Sequence, residues 1–299
     1  MLNIVGHRNI YLALSAFLVG VAVIAIVAFG FQQGIDFTGG TLWEFNVGGM
    51  APSVSDVRSS FAKLGLQDVA ASFDASHQTF LVRTPAISEA DHQKDVLALK
   101  GTYSGFEERS FQSIGPSIGA ALKQKAYTAL VLVLVGISLY IAFAFRKASK
   151  PVSSWKYGWI TLLTLFHDVA IPAGLLAILG HFGRVEIDSN FIVALLVVMG
   201  FSVHDTIVVF DRIRENLAFQ RAKHEFKTII NDSVNQSLAR SINTSLTLIL
   251  VLLALYFTGP AGLHYFVLTL LVGVTTGIYS SIFVASPALL FVTPHEHKK

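Results

Sequence analysis

The sequence predicts an α-helical, polytopic membrane protein with six transmembrane helices and one external α+β domain. Only 14% of the 299 residues are charged, and the mean hydropathy is +0.60, whereas soluble domains average about 25% charged residues. Six apolar stretches approach or exceed the length of about 20 residues that crosses a bilayer. A segment of soluble composition, residues 32–125, separates the first stretch from the other five.

The predicted spans are 11–31, 126–145, 158–179, 191–210, 242–257 and 265–292. The first exceeds the apolar core of a signal peptide, roughly 7–15 residues, and no small-residue cleavage site follows it, which favours an uncleaved helix. Residues 1–31 therefore form the N-terminus and first span, and residues 126–292 hold the other five spans. Within 126–292, the stretch 211–240 alternates basic and apolar residues and is predicted to lie along the membrane surface as an amphipathic helix.

Small residues recur at four-residue intervals in the last span. They are Gly273, Gly277, Ser281 and Ala285. A stripe of this kind permits close contact between helices. We expect it to serve packing within the bundle.

Basic residues predict the orientation, because cytoplasmic connections carry an excess of Lys and Arg. The second-to-third and fourth-to-fifth connections hold most of these residues, whereas the third-to-fourth connection has only Arg184. Both termini, including the tail 293–299, are therefore expected in the cytoplasm. Residues 32–125 are expected outside, which for a bacterium means the periplasm.

The external segment has the pattern of a ferredoxin-like domain. Alternating residues predict strands at 41–47, 69–73, 79–83 and 106–113. Ser53 and Ser88 each precede a helical stretch and have an acidic residue three positions later, as N-caps do. The order β-α-β-β-α-β is the split β-α-β arrangement. His77 and His92 are isolated in the sequence and are expected to be solvated, so no catalytic site is predicted here.

Two glycine-rich stretches join this segment to the membrane, GIDFTGG at 34–40 and SIGPSIG at 113–119. The first lacks the lysine of a phosphate-binding loop and does not join a strand to a helix, which argues against nucleotide binding. Glycines at the ends of elements permit unusual backbone angles and can act as hinges. The candidate hinge residues are Gly34, Gly39, Gly40, Gly115 and Gly119.

Two predicted spans contain a histidine followed by an aspartate, His167-Asp168 in the third and His204-Asp205 in the fourth. An aspartate at the centre of a span costs roughly 2.5–3.5 kcal/mol, so ion or proton handling is the first expectation. Asp205 lies about 8 Å from the cytoplasmic end of its span, and Arg240 begins the next span on the same side. The two are therefore predicted to lie at a depth that allows pairing. Asp168 lies near mid-bilayer, with His167 as its nearest partner.

A proton cycle at Asp205 has a simple physical basis. Apolar surroundings favour the neutral carboxyl, whereas a nearby guanidinium favours the charged form. The alternative is a polar brace between helices, and this alternative is stronger for Asp168 and His167 because adjacent groups can satisfy each other.

Other chemistries find little support in the sequence. Adjacent helix positions point about 100° apart, and HExxH is absent, so the His-Asp pairs predict no metal site. With no cysteine and no GxSxG motif, neither an enzyme nor a cofactor is predicted. The net charge of +3 follows membrane topology and predicts no nucleic-acid binding.

Three motifs resemble the SecF family of protein-export membrane proteins in the RND superfamily. They are GIDFTGGT at 34–41, HDV at 167–169 and VMGFSVHDTIVVFDRIREN at 198–216, and they favour SecF over its SecD paralogues. The resemblance implies a half-transporter of the bacterial inner (plasma) membrane. Such a subunit pairs with SecD, assists the SecYEG channel and uses the proton-motive force to complete export of unfolded polypeptides.

The resemblance places Asp205 and Arg240 at the proton-pathway positions of the family. His204 replaces the asparagine that the family commonly has there, and either protons or sodium ions remain open as the coupling ion. Two other functions stay open: half of an RND-type exporter of lipids or small amphiphiles, and an inert scaffold. Six spans are half of the twelve in a pseudo-symmetric transporter, which supports a partner half.

Overall fold

The computed structural model describes residues 2–49, 51–74, 78–146, 152–183, 185–220 and 223–292. The predicted tail 293–299, together with His77 and Arg184, lies outside these ranges. The chain divides into two compact units, Met1–Gln32 with Thr128–Lys299, and Gln33–Tyr127. The first is a helical bundle and the second is an α+β domain.

The elements follow in chain order. The helices are α1 Arg8–Phe29, α2 Ile35–Thr38, α3 Val54–Lys63, α4 Glu89–Thr102, α5 Pro116–Ala144, α6 Ser154–His181, α7 Ser189–Gln220, α8 Phe226–Thr258, α9 His264–Ser280 and α10 Ser286–Val292. A π turn, Ser281–Ala285, joins α9 to α10. The strands are β1 Gly40–Asn46, β2 Ala70–Asp74, β3 Thr79–Thr84 and β4 Glu107–Ile114.

Six helices among the described residues are long and apolar enough to cross a membrane, as predicted. They are Val5–Phe29, Pro116–Ala144, Ser154–His181, Ser189–Gln220, Phe226–Thr258 and His264–Val292. The third, fourth and sixth are about half buried and form the core of the bundle, whereas the other three expose most of their surface.

The stretch 211–240 differs from the predicted surface helix. α7 runs on to Gln220 and α8 begins at Phe226, so the stretch consists of the ends of two spanning helices. The apolar side chains of this stretch do not face lipid: Ile213, Leu217 and Ile230 are buried in the bundle core, and Phe226 packs against that core. The amphipathic pattern is therefore explained by packing between the two helices.

The small-residue stripe of the last span packs against α7, as predicted. A Cβ atom on Gly273 would collide with the side chain of Val198, and one on Gly277 would lie 3.3 Å from Cβ of Ser202. One turn further along, Ser281 contacts Thr206 through their hydroxyl groups. This close approach brings the last span against the part of α7 that carries Asp205.

The second unit has the predicted β-α-β-β-α-β order. Its sheet has the strand order β2-β3-β1-β4, with every neighbouring pair antiparallel, which is the ferredoxin-like topology. The two predicted N-caps are present, because the hydroxyls of Ser53 and Ser88 accept hydrogen bonds from backbone N–H groups three residues later. Aromatic side chains dominate the core, including Trp43, Phe45 and Phe61.

His92 is buried, with 5% of its surface exposed, so the prediction that it is solvated was wrong. Its Nδ1 lies 3.2 Å from Oε1 of Glu89, and its Nε2 lies 2.8 Å from Oε2 of Glu108. The ring stacks on Phe111 with 3.6 Å between centroids. Burial lowers the pKa of His92, but the hydrogen bonds and charges of Glu108 and Glu89 outweigh burial, so the net pKa is raised above its usual value.

This raised pKa predicts that contacts between α4 and β4 weaken as the pH rises. A group whose folded pKa is raised stabilises the fold fully below its unfolded pKa, about 6.5 for histidine. That contribution is lost as the pH rises through the folded value. In the full chain, amide exchange in α4 and β4, corrected for intrinsic rates, should show stronger protection at pH 6 than at pH 8. His92→Gln should remove this dependence, whereas the control His224→Gln, between α7 and α8, should keep it. Equal protection at both pH values in the wild type would contradict the prediction.

Candidate functional site

Asp168 in α6 is fully buried and has a complete set of hydrogen bonds. Its Oδ1 lies 2.8 Å from Nδ1 of His167. Its Oδ2 accepts hydrogen bonds from the hydroxyls of Ser202 in α7 and Ser280 in α9, the latter at 2.7 Å. The carboxylate therefore ties three core helices together. His167 is buried as well, and in the described part of the chain its Nε2 has no hydrogen-bond partner.

Asp205 in α7 is also buried but has fewer contacts. Its Oδ1 accepts a hydrogen bond of 2.7 Å from the hydroxyl of Ser241 in α8. Its Oδ2 is buried and has no hydrogen-bond partner among the described residues. The carboxyl also interacts with Ser281, although the hydroxyl of Ser281 lies 2.8 Å from that of Thr206. Asp205 thus has one oxygen that is buried without a donor, which is uncommon in folded proteins.

Both acids meet the last span where α9 ends and the π turn begins. Ser280 donates to Asp168, while its neighbour Ser281 reaches Thr206 and Asp205. π turns within α-helices are frequent at functional sites. Sequence reasoning missed this turn. Its one local signal is Pro287, which has no N–H to donate to the carbonyl four residues before it.

Arg240 and Asp205 do not form an ion pair in the described part of the chain. Arg240 instead lines an open polar pocket of about 280 Å³ between α7 and α8. The pocket residues are Val208, Asp211, Arg212, Glu215, Gln236, Ser237 and Arg240. Val208 lies three residues from Asp205, so the pocket ends within one helical turn of the buried acid.

His204 is exposed in the isolated chain although it lies within a membrane span. Its neighbour Asp205 points into the core, because adjacent helix positions differ by about 100°. On α8, the exposed polar residues include Arg240, Asn243, Thr244 and Thr247. Their spacing of i, i+3, i+4 and i+7 places them on one face of the helix.

Three of the candidate hinge glycines, Gly39, Gly40 and Gly119, lie where the backbone is closely packed. Gly39 and Gly40 have φ angles of +73° and +124°, a region that favours glycine. A Cβ atom on Gly119 would lie 2.8 Å from the backbone nitrogen of Gly39. In contrast, a Cβ on Gly115 would have no neighbour within 4 Å, and Gly34 precedes α2 as its N-cap. Close packing and positive φ angles thus explain the glycines at 39, 40 and 119, and hinge motion stays a prediction.

Comparison with protein families agrees with the motifs. A family described as protein export membrane protein SecD/SecF, C-terminal, matches residues 95–295. A second, described as the SecD/SecF GG motif, matches residues 24–45. The first match includes Asp168, Asp205 and Arg240, and the second includes the first glycine-rich stretch.

Curated relatives match nearly the whole chain. The protein translocase subunit SecF of Thermobaculum terrenum is 43% identical over 97% of this chain and 93% of that relative. The protein of the same name from Anaerolinea thermophila is 36% identical over 97% of this chain and 94% of its own length. These relatives are named as transport subunits, which agrees with a transport role and not with an enzyme.

A solved structure has the same fold. The crystal structure of SecDF, a translocon-associated membrane protein from Thermus thermophilus, matches with a TM-score of 0.83 and 32% identity. The match covers 97% of this chain but 38% of the SecDF chain. SecDF in its super-membrane-facing form matches with a TM-score of 0.68. The chain therefore belongs to the SecD/SecF family, within its SecF branch, as a multi-pass membrane subunit with a role in protein export.

Proposed function

We propose that this subunit uses the proton-motive force to drive late-stage export of polypeptides through the Sec channel. The observation that carries the proposal is Asp205, a buried carboxyl with one oxygen that has no donor in the described structure. Such a group can take up and release a proton when its surroundings change. The polar pocket at Arg240 supports this role, because this open pocket extends to within one helical turn of the acid.

The energy available is sufficient for conformational work. One elementary charge that crosses 100 mV releases about 2.3 kcal/mol. A free energy of this size shifts a two-state equilibrium by about 50-fold. We infer that protonation of Asp205 changes the packing of the bundle and that the external domain moves in response, with the glycine-rich stretches as hinges.

The cellular setting follows from the family and from the distribution of basic residues. We infer a location in the bacterial inner membrane with both termini in the cytoplasm and residues 32–125 in the periplasm. SecD is the partner half, and the SecYEG channel and the unfolded polypeptide are the partners in export. The name of the SecDF structure, in which this chain matches 38% of the length, supports the pairing with a SecD half.

We infer that the SecD half covers the polar stripe on α8 together with His204. Lipid tails cannot satisfy the hydrogen bonds of Asn243 or Thr244, and an unpaired arginine is expensive in a membrane. A second protein half can supply polar groups at the same depth. This arrangement brings His204, beside Asp205, against the partner.

Cysteine cross-linking tests this face. The chain contains no cysteine, so Thr244→Cys introduces a single thiol. Combined with single cysteines along the spans of SecD, it should form a disulfide at one or a few positions, because Cα atoms must approach within about 7 Å. The control is Val131→Cys in α5, which is 58% exposed and lies on a different helix. Disulfides from position 131 but none from position 244 would contradict the assignment.

Proton flux into sealed vesicles that contain this chain and SecD tests the function itself. A proton-driven export subunit should show flux that depends on the gradient, together with gradient-dependent completion of export when SecYEG is present. A lipid or amphiphile exporter should show flux coupled to amphiphile movement without SecYEG. An inert scaffold should show no flux, and that result would overturn the proposal. Replacing the proton gradient with a sodium gradient identifies the coupling ion.

A further inference from the structure

We propose that Ser281, the first residue of the π turn, is a positioning residue that switches its hydrogen bond between Thr206 and Asp205. The inference rests on the proposed proton coupling at Asp205. Ser281 is fully buried. Its hydroxyl lies 2.8 Å from Oγ1 of Thr206, and the side chain also interacts with the Asp205 carboxyl. Either hydroxyl of the Ser281–Thr206 pair could be the donor, but Ser281 has one hydrogen and can therefore donate to only one of Thr206 and Asp205 at a time.

The two protonation states of Asp205 need different partners. The ionised carboxylate accepts hydrogen bonds only, so its second oxygen needs a donor in addition to Ser241. The protonated carboxyl has an O–H group and needs an acceptor. Ser281 meets both needs: it donates to the carboxylate in one state, and in the other it accepts from the carboxyl while it donates to Thr206. One proton is gained or lost at Oδ2 of Asp205, and the O–H bond of the serine is not broken.

The geometry makes this exchange small. Ser281 interacts with both Thr206 and Asp205, which are consecutive on α7. The exchange therefore requires only that the hydroxyl hydrogen of Ser281 turn about the Cβ–Oγ bond, without movement of a helix. Ser286 donates a hydrogen bond of 3.0 Å to the carbonyl of Ser281, which supports the backbone across the turn. The neighbouring Ser280 donates to Asp168 at 2.7 Å and lies 3.1 Å from the carbonyl of Gly277. The two consecutive serines therefore contact different acids.

The other charged and titratable groups near Asp205 do not offer the same switch. His204 is on the same helix and faces outward, and Asp168 of α6 interacts with Asp205 through space. Asp168 already accepts hydrogen bonds on both oxygens. Arg240 of α8 points into the polar pocket. Ser281 is thus the group in contact with Asp205 that has a second acceptor within reach.

Two substitutions should displace the pH profile of proton flux in opposite directions. Ser281→Ala removes a donor that favours the charged carboxylate. A hydrogen bond to a charged group changes such an equilibrium by about tenfold, so the midpoint should move up by about one pH unit. Thr206→Val removes the competing acceptor, leaves Ser281 available to the carboxylate and should move the midpoint down. Ser281→Thr keeps a hydroxyl and should restore the wild-type profile.

Ser245→Ala is the matched control. Ser245 is also a buried serine, but its hydroxyl donates to the carbonyl of Ser241 within α8 and, among the described residues, makes no hydrogen bond to an acid. Its profile should equal that of the wild type. The readout is flux in vesicles with SecD, and the infrared carbonyl band of protonated Asp205 gives a second measure that a purely structural change would not shift.

The outcomes separate this inference from the proposed function. Flux that persists in Asp205→Asn overturns both. A different result overturns only the switch. In that case Asp205→Asn stops flux, but Ser281→Ala and Thr206→Val both keep the wild-type pH midpoint of flux and the wild-type infrared carbonyl band of Asp205. Should Ser281→Ala fail to fold, Thr206→Val decides: a downward shift supports the switch, and an unchanged profile overturns it.

Discussion

Replacement of Asp205 by asparagine is expected to reduce proton flux and gradient-driven export to background while the subunit still folds and assembles with SecD. Asparagine has nearly the shape of aspartate, and its amide oxygen can accept the hydrogen bond from Ser241. The packing around position 205 is therefore preserved. The amide cannot gain or lose a proton near neutral pH, so the variant lacks the group that takes up and releases the proton in the proposed cycle.

The measurement is flux into vesicles that contain the variant and SecD, with export assayed in the same preparation. Asp232→Asn provides the matched control because it is the same chemical change in the same helical bundle. Asp232 lies in α8, about two turns before Arg240, and is not among the residues that line the polar pocket. Flux should be unchanged in this control. Wild-type flux in Asp205→Asn would contradict the proposed mechanism and would leave Asp205 with a structural role only, as a polar contact between helices.

Much of the architecture was predictable because its signals are local. Six apolar stretches gave six spans, and strand alternation with the two serine caps gave the order of the ferredoxin-like domain. These patterns depend on residues within a few positions of each other. The ends of α7 and α8 were less predictable, since an amphipathic stretch has the same pattern whether its apolar face meets lipid or another helix.

The predicted pairing of Asp205 with Arg240 illustrates what depth alone cannot determine. Position along the helix places both residues at one level, and the contact of Asp205 with Ser241 confirms that level. Position along the helix does not determine the direction in which a side chain points from the helix axis. Since Ser241 points toward Asp205, its neighbour Arg240 must point about 100° away, which is into the polar pocket.

The hydrogen-bond partners of buried polar groups also could not be predicted from nearby residues in the sequence. Glu89 lies three residues from His92 and could be seen in the sequence, but Glu108 comes from β4 and reaches His92 only through the fold. Likewise, the sequence does not say which group on a neighbouring helix a serine in an apolar span will reach. Ser280 contacts Asp168 as well as a carbonyl of its own helix, and Ser281 contacts Thr206. The contact with Thr206 is possible because the last span approaches α7 closely at Gly273 and Gly277.

Replacement of Asp168 by alanine should have the largest effect on the stability of the bundle. The change removes the acceptor for two serine hydroxyls and for Nδ1 of His167 in a fully buried site. Each buried polar group left unpaired costs about 1–3 kcal/mol. The free energy of unfolding should therefore fall by about 3 kcal/mol or more. Asp168→Asn keeps one acceptor and should lose less.

Unfolding in detergent measures this difference, with Asp205→Ala as the comparison. That variant leaves the hydroxyl of Ser241 without its acceptor, so its loss should be about 1–3 kcal/mol, and Asp205→Asn should lose less still. We expect the order of stability to be wild type, Asp205→Asn, Asp205→Ala, then Asp168→Ala. If Asp205→Ala proved less stable than Asp168→Ala, the roles assigned to the two acids would have to be exchanged. The ranking separates a carboxylate that holds three helices together from one that is left partly unsatisfied so that its proton can be exchanged.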